Sequence, residues 1–93
     1  MEFEWDDGKA RDNIAKHGVS FELATRAFDD PNLVLAEDTD HSGTERRYFV
    51  FGRVGRGVLT VRFTVRSERV RIIGAGYWRK GKAFYEKANR VHR

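Results

Sequence analysis

Apolar and polar residues alternate without interruption from Leu59 to Arg66. One side of this segment carries Leu59, Val61, Phe63 and Val65, and the other carries Thr60, Arg62, Thr64 and Arg66. Because successive side chains of a strand point to opposite faces of a sheet, the pattern predicts a strand over Val58–Val65 with one face under helices and one rich in arginine. The turn Gly55–Gly57 and the aromatic, β-branched segment Tyr48–Gly52 before it predict a neighbouring antiparallel strand.

The N-terminal part of the chain predicts a strand and two helices. A half-buried strand at 3–5 is followed by a helix from Asp6 or Asp7 to about Lys16, with Ala10 and Ile14 on its inner face. The apolar stripe of 21–28 predicts a second helix, which the Asp-Pro pair at 30–31 ends.

The remaining segments complete an α+β arrangement. A short strand is expected at 33–35, a polar loop at 37–44, and a further strand at 69–75. A closing helix begins near Arg79, and its buried edge is expected to comprise Phe84, Ala88 and Val91. The predicted order is one strand, two helices, an antiparallel meander and a C-terminal helix, in a single domain over residues 1–93.

Composition excludes several classes of protein. The chain has no cysteine, and its three histidines lack the spacing of a zinc site, so no metal or other cofactor is expected. The acidic N-terminus does not resemble a signal peptide, and no apolar stretch is long enough to span a membrane. We therefore expect a cytoplasmic protein without membrane contact.

Charge is distributed unevenly along the chain. Residues 1–45 carry four Lys or Arg and twelve Asp or Glu, whereas residues 46–93 carry fourteen and two. Such asymmetry favours a polyanionic partner for the basic half, and the alternative is ion pairing between the two halves.

Arginines on the predicted sheet face are suited to phosphate. A guanidinium donates two hydrogen bonds to one phosphate and keeps its charge at any working pH. The candidates for RNA contact on the strands are Arg62, Arg66, Arg69 and Arg71, with Arg46 and Arg47 at the entry of the preceding strand. The candidates near the last helix are Arg79, Lys80 and Lys82, which follow Tyr77 and Trp78. Trp78 could stack on a base or, alternatively, wedge the helix onto the sheet.

Cleavage of RNA without a metal needs a base for the 2′-hydroxyl proton and cations for the developing charge. The candidate bases are Glu45, His17 and His41. Glu45 and His17 also have structural alternatives, because Glu45 can pair with an arginine and His17 stands at a helix end. No triad or carboxylate pair stands out, so the identity of the base stays open.

Blocks of residues along nearly the whole chain resemble the BrnT toxin family. The resemblance is carried by Phe3-Glu4-Trp5-Asp6, Lys9, Asn13, the block Lys16–Phe21, Ala24, Phe28, Asp30, Pro31, Asp40, His41, Glu45, Arg46, Thr64, Arg66 and Arg71-Ile72-Ile73. It implies a RelE-like fold and a ribonuclease that arrests translation. It also implies a BrnA-type antitoxin, a dimeric DNA-binding protein that blocks the toxin, so that operator DNA is reached only through the antitoxin. The catalytic positions that it implies are Arg66, Arg71, Glu45 and Arg46.

One departure from the family pattern leaves a second hypothesis open. Where many members continue with Ser-Ala-Arg, this chain has Gly74-Ala75-Gly76, so a cation expected at position 76 is absent. The second hypothesis is a catalytically impaired nucleic-acid-binding or regulatory module that keeps the fold and the antitoxin contact. A third is a structural partner whose basic half binds an acidic protein.

Overall fold

A computed structural model describes residues 1–91 of the chain. Its elements are β1 (Phe3–Trp5), α1 (Asp7–His17), α2 (Phe21–Ala24), β2 (Val34–Glu37), β3 (Arg47–Val54), β4 (Gly57–Arg66), β5 (Arg69–Gly76) and α3 (Arg79–Val91). Short 3-10 turns at Thr25–Asp29 and Thr39–His41 follow α2 and β2. The predicted α+β arrangement is confirmed. The second helix, predicted as one element, is a single α-helical turn continued by a 3-10 turn.

Five strands form one mixed sheet in the order β1-β5-β4-β3-β2. The four strands from β2 to β5 are an antiparallel meander, as predicted. β1 pairs in parallel with β5, where Phe3 lies opposite Val70 and Trp5 opposite Ile72. The N-terminal acidic residues therefore lie beside the basic strand β5. In the described residues, no helix is long and apolar enough to cross a membrane.

One face of the sheet packs against the N-terminal helices. The largest buried side chains there are Phe21 from α2 and Leu59, Val61, Val50 and Ile72 from the strands. The predicted apolar side of β4 is therefore the core side. Val65, at the end of β4, is the exception and is half exposed.

The opposite face of the sheet is only partly covered, by α3. Phe51, Val58 and Tyr85 form a second small core between α3 and the strands. The predicted buried edge of α3 was wrong at Phe84, which is half exposed with its ring beside that of Phe51. The helix is rotated because Gly81 and Tyr85 face the sheet, and the side chain of Val91 lies outside the described part.

Asp30 ties α3 to the rest of the fold. Its Oδ2 accepts the Tyr85 hydroxyl at 2.6 Å and the Arg53 backbone N–H at 2.7 Å, and its Oδ1 accepts the Asn32 N–H at 2.8 Å. Burial alone would raise the pKa of Asp30, but the hydrogen bonds from Arg53, Tyr85 and Asn32 outweigh it and lower that pKa. The carboxylate therefore stays ionised where α3, β3 and the 3-10 turn meet.

Asn13 connects α1 to the sheet. Its Nδ2 donates to the carbonyls of Val19 and Ala75, each at 2.9 Å, and its Oδ1 accepts the Ala75 N–H at 3.1 Å. The predicted inner residue Ile14 was wrong, because it is half exposed and Asn13 points inward instead. β1 ends opposite Ile72, so the amide of Asn13 satisfies the edge of β5 where the partner strand has stopped.

We expect Asn13→Ala to lower the free energy of unfolding by about 2–3 kcal/mol, because buried backbone groups of Val19 and Ala75 lose their partners. Urea denaturation followed by circular dichroism measures this. The control is Asp12→Ala, an exposed neighbour on the same helix, for which a change under about 0.5 kcal/mol is expected. Equal stability of the two variants would contradict the role assigned to Asn13.

Candidate functional site

Arginines from three adjacent strands lie on the sheet face opposite α1 and α2. Cross-strand neighbours share a face, and the register places Arg47 opposite Thr64, Thr64 opposite Arg71, and Arg66 opposite Arg69. Arg62 lies on the same side of β4, two residues before Thr64. We call the surface formed by Arg47, Arg62, Arg66, Arg69 and Arg71 the arginine face. It continues from the edge of α3 to β1.

Carboxylates from the acidic half contact the arginine face. Arg66 donates from Nε and Nη2 to the two oxygens of Glu45, the second at 3.0 Å. Arg71 donates to Glu4 at 3.0 Å, and Arg69 donates to Glu2 at 3.3 Å. The ion pairing between halves that the sequence left as an alternative is thus present. Arg66 and Arg69 are half exposed, and exposed pairs of this kind contribute little to stability.

Glu45 is a weak proton acceptor in this arrangement. The hydrogen bond from Arg66 lowers its pKa, and the charges of Arg66, Arg47 and Arg71 lower it further. Both carboxylate oxygens are already engaged by one guanidinium. Glu45 is therefore well placed to orient Arg66 and poorly placed to take a proton.

A groove of about 500 Å³ lies between the first turn of α3 and the end of β2. Its walls include Phe49, Phe51, Thr60, Trp78, Lys80 and Phe84, and Asp38, Asp40 and His41 line its end. We call it the central groove. It combines apolar walls with a few charged groups, which is the usual composition of a ligand site.

Asp38 and His41 form a hydrogen-bonded pair at the end of the central groove. The Nδ1 atom of His41 lies 3.0 Å from both carboxylate oxygens of Asp38. The Asp38 side chain is 5 % exposed, whereas that of His41 is 55 % exposed. Arg62 Nη1 lies 3.8 Å from Asp38 Oδ2, so the pair borders the arginine face. Asp38 was not singled out in the sequence, and its spacing of three residues from His41 in a polar loop is the one local signal for it.

Trp78 separates the central groove from a second depression on the side of α1. That depression is lined by Lys9, Lys16, His17, Arg62 and Gly74. The edge of the His17 ring meets the Trp78 ring, with centroids 5.1 Å apart. Trp78 is 40 % exposed, so it is neither a fully buried wedge nor a free platform.

Gly76 allows Trp78 to take this position. A Cβ atom added to Gly76 would lie 2.5 Å from the Trp78 ring, so any other residue at this position would force the indole to move. The absence of a cation at position 76 is therefore coupled to the tryptophan two residues later.

The remaining residues that were predicted to contact RNA lie at different places on the surface. Lys80 lines the central groove, whereas Arg79 and Lys82 line a shallow surface beside Tyr77 on the other side of Trp78. Arg46 is exposed before β3, and its carbonyl accepts the Thr64 hydroxyl at 2.6 Å. Within residues 1–91, no group of three or more His, Asp or Glu side chains is arranged to hold a metal ion.

Thr60 carries an unpaired hydroxyl in the wall of the central groove. Among the described residues it is the one buried side-chain oxygen without a hydrogen-bond partner. A Cβ atom on Gly81 would overlap this oxygen, so the glycine allows α3 to pack directly onto it.

We expect Thr60→Val to raise the free energy of unfolding by about 1 kcal/mol, because an unpaired buried hydroxyl is replaced by a methyl group of similar size. The matched control is Thr64→Val on the same face of β4. It removes the hydrogen bond to Arg46 and should lower stability by about 1 kcal/mol. Thermal melts of both variants test this, and destabilisation by Thr60→Val would contradict it.

Comparison with known proteins identifies the family. The comparison with individual curated proteins finds no match. A family model described as the ribonuclease toxin BrnT of type II toxin–antitoxin systems matches residues 5–81, from the end of β1 to the first turn of α3. The match covers the meander, the arginine face and both residues of the Asp38–His41 pair. The chain therefore belongs to the BrnT family of ribonuclease toxins.

Proposed function

We propose that this protein is a metal-independent ribonuclease that cleaves RNA to arrest translation in the cytoplasm, and that a BrnA-type antitoxin neutralises it. Membership of a family of type II ribonuclease toxins already implies RNA cleavage and a protein antitoxin. The observation that carries the finer proposal is the arginine face, which borders a groove large enough for a nucleotide. A RelE-like fold, implied by the family resemblance, is part of the same proposal.

The arginine face is proposed to bind the RNA backbone. Arg66 uses Nε and Nη2 on Glu45, so its Nη1 hydrogens remain for a phosphate oxygen. Arg71 uses Nη1 on Glu4 and likewise keeps other donors. The carboxylates thus hold the guanidinium groups in fixed directions without occupying all of their donors. Arg46 and Arg47 form no ion pair within the described residues and add uncompensated positive charge.

The same groups account for catalysis in the proposal. Attack of a 2′-hydroxyl on phosphate develops extra negative charge on the phosphate oxygens, and fixed cations stabilise that charge. Arg62, Arg66 and Arg71 are the proposed groups, with Glu45 as the residue that orients Arg66. Arg69, Arg79, Lys80 and Lys82 are proposed to bind flanking phosphates rather than the reacting one.

An impaired module that binds nucleic acid without cleaving it is the second candidate. The ion pairs of Arg66, Arg69 and Arg71, and the glycine at position 76, favour it. Both candidates use the same face, so cleavage itself distinguishes them.

We expect the purified, antitoxin-free chain to degrade purified cellular RNA in the presence of EDTA. Arg66→Ala combined with Arg71→Ala should lower the rate at least about 100-fold, because donors to the transition-state charge are lost. The matched control, Arg11→Ala with Arg26→Ala, removes the same charge from the helices and should keep the rate within about twofold. Circular dichroism checks that both variants are folded.

Two results would contradict this proposal. Full activity of the arginine-face variant would remove the site assignment. Binding of RNA without cleavage by the parent chain would establish the impaired module instead.

We expect the antitoxin to cover the arginine face or the surface beside α3 with acidic and apolar side chains. Charge pairing between exposed groups weakens as salt screens it, so Kd should rise at least about tenfold between 0.1 M and 1 M salt. The partner for this titration is the protein encoded next to this chain, for which we expect a ribbon-helix-helix DNA-binding pattern. A Kd independent of salt would show that charge does not support the complex.

A further inference from the structure

We propose that His41 is the general base of the RNA cleavage and that Asp38 is its positioning residue. This inference rests on the proposed ribonuclease function and identifies one group within it. It assigns a proton acceptor to a site in which the arginines supply only positive charge.

The Asp38 carboxylate fixes both the tautomer and the direction of the imidazole. A carboxylate only accepts hydrogen bonds, so the His41 Nδ1 atom beside it carries the hydrogen. In the neutral ring this leaves the lone pair on Nε2. Within residues 1–91 no group is hydrogen-bonded to Nε2, and the side chain is more than half exposed at the groove. Nε2 is therefore available to a substrate hydroxyl.

The backbone around the pair is held rigidly. The Asp38 N–H donates to the Arg47 carbonyl at 2.8 Å, which anchors the turn to β3. The His41 N–H donates to the Asp38 carbonyl at 3.2 Å, and the Ser42 hydroxyl donates to the same carbonyl at 2.8 Å. A base mounted on such a turn loses little freedom when substrate binds, which favours catalysis.

Charged groups around His41 are arranged for a phosphate. Arg62 on β4 lies 3.8 Å from the Asp38 carboxylate, and Lys80 on α3 lines the central groove together with His41. Asp40, within the same 3-10 turn, also lines the groove. In the proposal, a phosphate bound by Lys80 in this groove has its neighbouring 2′-hydroxyl at His41.

The two other candidate bases are less suitable. Both oxygens of Glu45 are engaged by Arg66, and its pKa is lowered by that contact. His17 packs its ring edge against Trp78 and forms no hydrogen bond with a carboxylate in the described residues. Of these three candidates, all within residues 1–91, His41 is the one with a buried carboxylate partner and an exposed side chain.

The proposed step conserves atoms and charge. His41 Nε2 takes the proton of the 2′-hydroxyl while that oxygen forms a bond to phosphorus. The bond from phosphorus to the 5′-oxygen of the next nucleotide breaks, and the leaving oxygen takes a proton from water. The products are a 2′,3′-cyclic phosphate and a 5′-hydroxyl, and the imidazolium, stabilised by Asp38, returns its proton to the resulting hydroxide.

A purely structural role for the pair predicts different behaviour. If His41 only closes the turn at 39–41, then any residue that keeps the hydrogen bond to Asp38 should preserve activity. His41→Asn meets that condition, because its Nδ2 takes the place of the imidazole Nδ1 and can donate to Asp38, but an asparagine amide cannot act as a base. This variant therefore separates the two roles.

The test uses the full antitoxin-free chain and an RNA oligonucleotide of mixed sequence. DNA of the same sequence, which lacks the 2′-hydroxyl, is the control substrate. Wild-type activity on RNA should rise with pH between 5 and 8, where imidazoles lose their proton. His41→Asn should lower the rate at least about 100-fold and abolish this rise. His41→Ala should recover part of the lost rate when imidazole is added to the solution.

Asp38→Asn tests the positioning role. It removes the carboxylate that holds the hydrogen on Nδ1 and stabilises the imidazolium formed in the reaction, so the maximal rate should fall and the neutral ring should divide between its two tautomers. A thermal melt of each variant confirms that it is folded. Nitrogen NMR of the wild-type imidazole reports the tautomer independently of activity, and the hydrogen should reside on Nδ1.

The possible outcomes separate this inference from the proposed function. RNA cleavage that persists in His41→Asn, or a pH profile that changes in His17→Asn instead, would overturn the assignment of His41 and leave the ribonuclease intact. A hydrogen on Nε2 of neutral His41 would also overturn it. A wild-type chain that cleaves no RNA would overturn both.

Discussion

The three hydrogen bonds of Asn13 determine how the helical layer sits on the sheet. β1 ends opposite Ile72, and the backbone of Ala75 would otherwise face α1 with both of its polar groups unpaired. Asn13 satisfies them and holds the Val19 carbonyl as well, which fixes the start of α2. With α1 and α2 held on one face in this way, the part of the opposite face that α3 leaves uncovered is open for arginines.

Much of the fold follows from local patterns in the sequence. The period of two in β4 acts within a few residues. So do the helix caps: the side chains of Asp6 and Ser20 accept the N–H groups of Lys9 and Leu23, and Gly18 ends α1 with a φ of 68°. The errors involve partners far along the chain. Helical spacing predicts that the apolar Ile14 points inward. Asn13 points inward instead, because its amide pairs with the edge of β5, which lies far along the chain. The parallel pairing of β1 with β5 and the Arg71–Glu4 hydrogen bond both join residues 67 positions apart. No local pattern in the sequence predicts such a pairing.

The candidate site was predictable only in its chemical character. Arginines on alternate positions of β4 indicate a basic face, and the register brings Arg66, Arg69 and Arg71 together as that pattern requires. The carboxylates that orient them come from the acidic N-terminal half, so charge counting alone could not distinguish an internal partner from an external one. The structure shows the internal pairs, and these pairs leave some guanidinium donors unused. The burial of Asp38 depends on the way the chain packs after the edge strand β2, and no pattern in the sequence predicts it.

The contact between Gly76 and Trp78 makes these two positions a single unit of evolutionary change. The indole ring occupies the volume into which any side chain at position 76 would extend. A lineage that gains a long cation at position 76 must move the indole or replace it with a smaller group, and the indole keeps its present place only beside a glycine. Residues at positions 76 and 78 should therefore vary together among homologues.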